Sequence, residues 1–264
     1  YPIFGERIWG WPGHIIDILA IFATLFGLAT SLGYGAEQAS GGLNYLFDLP
    51  TGDYTNIILV AIITGLALVS VVRGLDGGIK RLSEINMVLA VVLGLFVLFM
   101  TPIMETLGYF FRYSLAYLEY LPVLSSWSGR EDYYFMHDWT TFYWSWWIAF
   151  SPFVGMFIAR ISTGRTVREF VVGALLAPSL IFMLWMTIFG HTAILQFFEE
   201  DVTAVAESVR NFQPELTLFI FLEQFPGSLF TSILGLFLVI IFFVTSMDSG
   251  SLVVDTMAAG GKIK

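Results

Sequence analysis

Six long apolar stretches, separated by shorter polar segments, organise this chain. A helix needs about 20 consecutive apolar residues to cross the hydrocarbon core of a bilayer. The stretches contain no runs of charge, and they mostly lack the polar stripe that a soluble amphipathic helix shows every 3.6 residues. They therefore predict an all-α, polytopic membrane protein with spans at Ile15–Tyr34, Thr55–Val72, Ile85–Met104, Trp139–Ile161, Val171–Leu195 and Ser228–Met247.

The charges between these stretches alternate in sign along the chain. Acidic residues dominate every second connection, and most basic residues fall in the remaining ones. Because positive loops stay in the cytoplasm, this alternation predicts an inner (plasma) membrane protein with both ends of the sequence in the cytoplasm. The basic residues on that side are Arg7, Arg73, Lys80, Arg81, Arg160, Arg165, Arg168, Lys262 and Lys264.

One long connection divides the chain into two sets of three spans. Residues 1–104 hold the first set, 105–138 form the connection, and 139–264 hold the second set. Aromatic and apolar residues at Tyr109–Tyr113 and Leu115–Leu118 predict an amphipathic helix that lies in the membrane interface. A shorter segment of the same kind, Thr217–Gln224, precedes the last span.

Composition narrows the possible functions. Only 12% of the residues are charged, about half the level of a soluble domain. The absence of cysteine excludes disulfides and thiolate metal sites, and a net charge of −9 argues against nucleic acid as a partner. The spans contain no cluster of metal ligands and no nucleophile–base pair, so an enzyme is not expected. No secretory signal is visible at the start. Because the sequence opens on Tyr1 without Met and stops at Lys264 soon after a long apolar stretch, we interpret it as a fragment of a longer protein.

An aromatic stripe marks the fourth span. At about 100° per residue, most of its rings share one helical face. Rings at the outer end fit an interfacial belt of Trp and Tyr, whereas rings two to three turns deeper fit a cage that attracts a quaternary ammonium; the pattern alone leaves both interpretations open. Seven of twelve residues are aromatic: Trp139, Phe142, Tyr143, Trp144, Trp146, Trp147 and Phe150.

The same span carries a resemblance to a known family. Asp138–Trp147, continued by Ser151–Ser162 and Gly164–Thr166, resembles the signature of the betaine/choline/carnitine transporters. Thr141 stands where the signature usually has an aliphatic residue, and Phe150 stands where the glycine-betaine transporters have a third Trp. Weaker matches extend the resemblance over the whole chain, at Phe22–Gly27, Ser31–Gly33, Asn86–Ala90 and Phe242–Ser249.

The resemblance implies a twelve-span protein with the inverted-repeat fold of the sodium-coupled neurotransmitter-type symporters, commonly a homotrimer. This chain would be its fifth to tenth spans. It also implies that Trp146, Trp147 and Phe150 contact a trimethylammonium group and that Trp144 gates or completes the site. A Phe face is weaker than a Trp face, so Phe150 leaves the choice among betaine, choline, carnitine, ectoine and dimethylsulfoniopropionate open.

Coupling ions are expected at hydroxyl and carbonyl oxygens, which sodium prefers. Thr245 and Ser246 are adjacent hydroxyls in the last span, and interior hydroxyls ordinarily bond back to a carbonyl one turn earlier. The resemblance instead implies that both are sodium ligands, together with the backbone of Phe242.

The resemblance also implies a second sodium site, and this chain matches it incompletely. Thr24 and Phe153 agree with that site, but Leu28 stands where its second hydroxyl is expected. Ser31, one turn further along the same face, is a possible replacement.

Two functions follow from these features. The leading hypothesis is sodium-coupled symport of glycine betaine-like osmolytes, and the alternative is sodium-independent exchange of carnitine- or choline-type solutes, which the missing hydroxyl at Leu28 favours. Acidic residues inside spans would indicate proton coupling. Only Asp17 and Asp248 come close, and both are expected near cytoplasmic ends, with Asp248 solvated or paired with a loop arginine.

Overall fold

The structure is a computed structural model that describes residues 4–72 and 80–260. Within these ranges it is helical and contains no β-strand. A 3₁₀ turn at Gly5–Trp9 precedes the first long helix. The helices that follow are α1 Trp11–Phe47, α2 Asp53–Val72, α3 Lys80–Phe99, α4 Ile103–Ser125, α5 Tyr133–Ile161, α6 Val167–Glu199, α7 Ala204–Arg210, α8 Pro214–Glu223 and α9 Ser228–Ala258.

Six of these helices, α1, α2, α3, α5, α6 and α9, are long and apolar enough to cross a membrane. This confirms the prediction of an all-α polytopic membrane protein. Three basic residues used to predict its orientation, Arg73, Lys262 and Lys264, lie outside the described residues.

Helix α1 is much longer than the span predicted at Ile15–Tyr34. Its 37 residues correspond to about 55 Å of helix, which exceeds a hydrocarbon core of about 30 Å. The extra turns contain small residues that are buried, including Ala39, Gly41 and Gly42. Because they allow other helices to approach closely, α1 continues beyond the apolar stretch before it ends at Asp48, whose φ is 52°.

Close contacts at glycines join α1 to its neighbours. A Cβ atom added at Gly35 would lie 2.3 Å from the ring of Phe243 in α9, and one added at Gly42 would lie 2.4 Å from the ring of Phe219 in α8. A packed interior cannot accept such overlap without displacing its side chains. These aromatic rings therefore hold α1, α8 and α9 together as the centre of the bundle.

The amphipathic helix expected in the long connection is present as α4. It packs against α6 through a contact between Tyr113 and His191, whose Nδ1 atom lies 2.8 Å from the tyrosine hydroxyl. The Tyr109 ring lies over the same imidazole, with centroids 4.0 Å apart. The other short segment, expected at Thr217–Gln224, is α8.

Candidate functional site

Helix α5 carries the aromatic stripe, and its geometry is irregular at two places. Residues Met136–Thr141 form a π-helical turn, a feature that often occurs at functional sites. Further along, Pro152 lacks the N–H that would bond to the Ile148 carbonyl. The Ser151 hydroxyl donates to that carbonyl instead, at 2.8 Å, so the helix continues through the proline.

One face of α5 forms a ladder of aromatic rings that points into the bundle. Neighbouring ring centroids are separated by 5.6 Å, 6.1 Å, 5.5 Å and 6.1 Å. At about 100° per residue its members fall within an arc of about 80°. The ladder consists of Phe142, Trp146, Phe150, Phe153 and Phe157.

Helix α1 lies against this ladder in antiparallel register. The ring of Tyr34 stacks on Trp146 at 6.1 Å and meets Phe142 edge-on at 5.7 Å. Two turns earlier, a Cβ atom added at Gly27 would lie 2.6 Å from the ring of Phe150. The absence of a side chain at Gly27 thus creates the space in which the ring sits.

Sequence reasoning missed both of these α1 residues. Gly27 appeared only within a family match, and Tyr34 only as the end of a predicted span. A signal was present, because Ala20, Gly27 and Tyr34 recur every seven residues and so share one helical face. Ala20 packs against the buried group formed by Phe153, Val253 and Met257.

The remaining two predicted solute contacts point away from the ladder. Trp144 is 66% exposed and Trp147 is 69% exposed among the described residues. Among the described residues, neither ring contacts the ring of Trp146 or of Phe150, whereas those two rings contact each other. The stripe therefore has an inner part against α1 and an outer part that the described helices leave uncovered.

The inner part offers ring faces and few polar groups. Such faces attract a cation through their quadrupoles, by about 0.5 kcal/mol at an exposed site and about 2 kcal/mol when water is excluded. They do not compete for hydrogen bonds, which suits a quaternary ammonium that has none to donate. Aromatic faces of this kind favour a weakly hydrated, methylated cation over a strongly hydrated one.

The first group of predicted sodium ligands lies together in α9. The Thr245 hydroxyl donates to the Phe242 carbonyl at 3.0 Å, the bond that an interior threonine ordinarily makes. The Ser246 hydroxyl has no hydrogen-bond partner among the described residues. The Thr245 hydroxyl and the Phe242 carbonyl are thus hydrogen-bonded to each other, and the role of these three oxygens as sodium ligands stays a prediction.

The second group is not brought together. Thr24 is buried and donates to the Ala20 carbonyl at 2.8 Å, and Phe153 is buried in the same region. Ser31 lies seven residues further along the continuous helix α1, a rise of about 10.5 Å. Oxygen ligands at about 2.5 Å from one cation cannot be so far apart. Leu28, between them, fills the space over Gly250 of α9.

The expectation that Asp248 is solvated or paired with a loop arginine is wrong. The residue is fully buried rather than solvated, and it has no arginine partner among the described residues. The error arose because α9 continues to Ala258, ten residues beyond the aspartate. Ser70 of α2 faces this carboxyl group, and its hydroxyl is buried beside it. Burying a carboxylate without a charged partner is energetically costly, because the charge loses its hydration.

Comparison with known proteins covers the whole chain. A family model described as BCCT, betaine/carnitine/choline family transporter, matches residues 1–264. A glycine betaine/proline/choline transporter of Vibrio parahaemolyticus is 56% identical over 263 residues, which is 100% of this chain and 47% of that protein. A glycine betaine/proline/choline/ectoine transporter of the same organism is 49% identical over 265 residues, 100% of this chain and 46% of that protein.

A more distant relative shows the same coverage. The glycine betaine transporter OpuD of Bacillus subtilis is 41% identical over 265 residues, 99% of this chain and 51% of that protein. The chain thus spans about half the length of the curated relatives that it matches.

Proposed function

The chain belongs to the betaine/carnitine/choline transporter family, and from this premise we propose that it contributes to sodium-coupled symport of glycine betaine or a related quaternary-ammonium osmolyte. The family consists of transporters, which confirms the expectation that the protein is not an enzyme. The family match and the six apolar helices identify the chain as a membrane-embedded member of an osmolyte transporter family.

A single observation carries the proposal: Trp146 and Phe150 are adjacent on the inner face of α5. Their rings supply two walls for a methylated ammonium, and Phe153 continues the same face. We propose that Trp147 and Trp144 supply further walls from the uncovered side of α5. The names of the relatives support this class of solute, since each includes glycine betaine.

The proposed coupling ion is sodium, held in part by Thr245, Ser246 and the carbonyl of Phe242. Sodium would supply the driving force, because its gradient would be coupled to movement of the solute. Support comes from the grouping of these oxygens on one turn of α9. In this proposal the transporter alternates access between two inverted repeats, with residues 1–104 and 139–264 in different repeats joined by 105–138. It would operate as a homotrimer in the plasma membrane, with the ends of this sequence in the cytoplasm.

A sodium-independent exchanger is the second candidate, and the packing of Leu28 favours it. The Leu28 side chain occupies the groove over Gly250, so no hydroxyl follows Thr24 by one turn. Loss of one ion site reduces the sodium requirement and leaves exchange of carnitine- or choline-type solutes as the alternative. Ectoine and dimethylsulfoniopropionate remain within the range of solutes to be tested.

Uptake by the full-length protein in proteoliposomes tests the proposal. Radiolabelled glycine betaine should accumulate when an inward sodium gradient is imposed and should not when potassium replaces sodium. Counterflow in sodium-free vesicles distinguishes the two candidates, because only the exchanger performs it. Absence of sodium-dependent uptake of every methylated ammonium or sulfonium solute would rule out the leading proposal.

A further inference from the structure

We infer that a polar cavity between α1, α2 and α8 is a second cation site, for a small ammonium ion that carries N–H groups. The cavity has a volume of about 410 Å³. It lies further along α1 than the ring ladder, since Ser40 in its wall follows Tyr34 by six residues, a rise of about 9 Å. None of the residues that line the cavity belongs to the ring ladder.

Two carboxylates give the cavity its charge. Glu37 of α1 and Glu215 of α8 both line it, and no lysine or arginine does. Neither carboxylate forms a salt bridge or hydrogen bond with another described residue. Gly41 keeps the two helices close here, because a Cβ atom added to it would lie 3.0 Å from Cγ of Glu215. Two unpaired acidic groups near one cavity favour a bound cation.

Two polar side chains in the wall lack partners. Ser40 is only 4% exposed, and its hydroxyl makes no hydrogen bond. Asn56, at the start of α2, also lines the cavity, and its buried Oδ1 atom is unpartnered. Buried polar groups in native proteins are nearly always paired. Ser40 and Asn56 line the same cavity as the two carboxylates, and in this inference a bound ligand becomes the missing partner of their buried oxygens.

The chemistry of these groups selects the class of cation. Carboxylates and an amide oxygen accept hydrogen bonds, and a hydroxyl can accept one as well. An ammonium with N–H groups satisfies such acceptors, whereas a quaternary ammonium has no hydrogen to donate. No group of three or more His, Asp or Glu able to hold a metal occurs among the described residues. The cavity therefore differs in selectivity from the ring ladder.

The wall of the cavity is held in place by local hydrogen bonds. Asn44 donates its side-chain N–H to the carbonyl of Leu49 at 2.8 Å. Thr55 donates its hydroxyl to the carbonyl of Pro50 at 2.6 Å. These bonds fix both ends of the loop between α1 and α2, which closes one side of the cavity. The site is thus formed before a ligand arrives, so little ordering accompanies binding.

Thermal unfolding of the purified full-length protein tests the inference with two cations of equal charge. Methylammonium chloride carries N–H groups and tetramethylammonium chloride does not. We expect methylammonium to raise the unfolding midpoint saturably, and Glu215→Gln to remove at least nine-tenths of that shift. Glu119→Gln, which makes the same change of charge on exposed α4, should leave the shift intact.

Crossed variants separate this site from the ring ladder. Trp146→Ala should retain the methylammonium shift and lose the tetramethylammonium shift, and Glu215→Gln should do the reverse. If only the tetramethylammonium result fails, so that Trp146→Ala does not change that shift, the proposed function is contradicted and this site is not. If Glu215→Gln does not fold, Ser40→Ala and Glu37→Gln replace it, with the same expected loss.

Three results would overturn the inference. The first is a methylammonium shift that survives Glu215→Gln, Glu37→Gln and Ser40→Ala. The second is a sodium chloride shift of equal size that Glu215→Gln removes to the same extent, which would make the cavity a general monovalent cation site without selectivity for N–H groups. The third is the absence of any methylammonium shift in the wild-type protein.

Discussion

Phe150 lies directly over Gly27, so closely that a Cβ atom added to the glycine would lie 2.6 Å from two atoms of the ring. This contact fixes the height at which α5 meets α1. It also orients the Phe150 ring within the candidate solute site. The glycine and the phenylalanine therefore act as a pair, and the shape of the candidate solute site depends on both.

Gly27→Ala should weaken solute transport by displacing the Phe150 ring. If the displaced ring costs the solute-bound state about 1.4 kcal/mol, within the range of about 1–3 kcal/mol for overpacking a tight interior, the KM for glycine betaine uptake rises about tenfold. Gly33→Ala is the matched control, because a Cβ atom there meets nothing within 4 Å. Equal uptake by both variants in proteoliposomes would show that the contact does not shape the site.

Trp147→Ala tests whether the Trp147 ring contacts the solute or faces only lipid. If Trp147 completes the cage, its removal should lower glycine betaine affinity by about 1–2 kcal/mol, or roughly five- to thirtyfold. Trp127→Ala, at a position that is 80% exposed and outside α5, should leave affinity unchanged. Affinity is read by equilibrium binding to the purified full-length protein, and an unchanged value for Trp147→Ala would limit the cage to the inner rings.

Thr245→Ala should raise the sodium concentration that gives half-maximal uptake by about tenfold, because one proposed ligand is lost. Thr256→Ala is a close control in the same helix, since its hydroxyl also bonds back to a carbonyl, that of Leu252 at 2.8 Å. A purely structural hydroxyl predicts the same small effect for both variants. The sodium dependence of uptake therefore decides between a ligand and an ordinary helix-interior threonine.

Tyr113→Phe should lower the thermal stability of the full-length protein in detergent. The Tyr113 hydroxyl and Nδ1 of His191 share a hydrogen bond at 2.8 Å, and partial burial raises the pKa of the phenol. The variant leaves that nearly fully buried imidazole without a partner, at a cost of about 1–3 kcal/mol.

Tyr117→Phe, an exposed position on the same helix, is the control for the Tyr113 prediction. It should leave the unfolding midpoint unchanged. Equal midpoints for both variants and the wild-type protein would mean that the tyrosine–histidine contact does not hold α4 to α6.

The number and type of the long helices were predictable because their apolar stretches exceed the thickness of a bilayer. Their ends were less predictable. Helix α1 passes Tyr34 and α9 passes Met247, since buried small residues extend the packed surface where average hydropathy falls. The same effect misplaced Asp248, which sequence reasoning put near water and which the longer α9 buries.

The candidate site was predictable as a set of residue types on one helix, and the family resemblance supplied their roles. Its geometry was not predictable, because the orientation of α5 depends on contacts with residues distant in sequence. Trp146 and Trp147 are neighbours in the chain, yet one packs towards α1 and the other is exposed. The contact of Tyr34 with Trp146, and of Gly27 with Phe150, distinguishes the inner face from the outer one.

The most direct test of the cage is to compare two solutes of the same shape, glycine betaine and tert-butylacetate, which replaces the cationic nitrogen by carbon. Equilibrium binding to the full-length protein should favour glycine betaine by about tenfold or more, because ring faces attract the charge and not the shape. In Trp146→Ala that preference should fall towards one. Equal affinity for the two solutes in the wild-type protein, or an unchanged preference in the variant, would contradict a cation site on the inner face of α5.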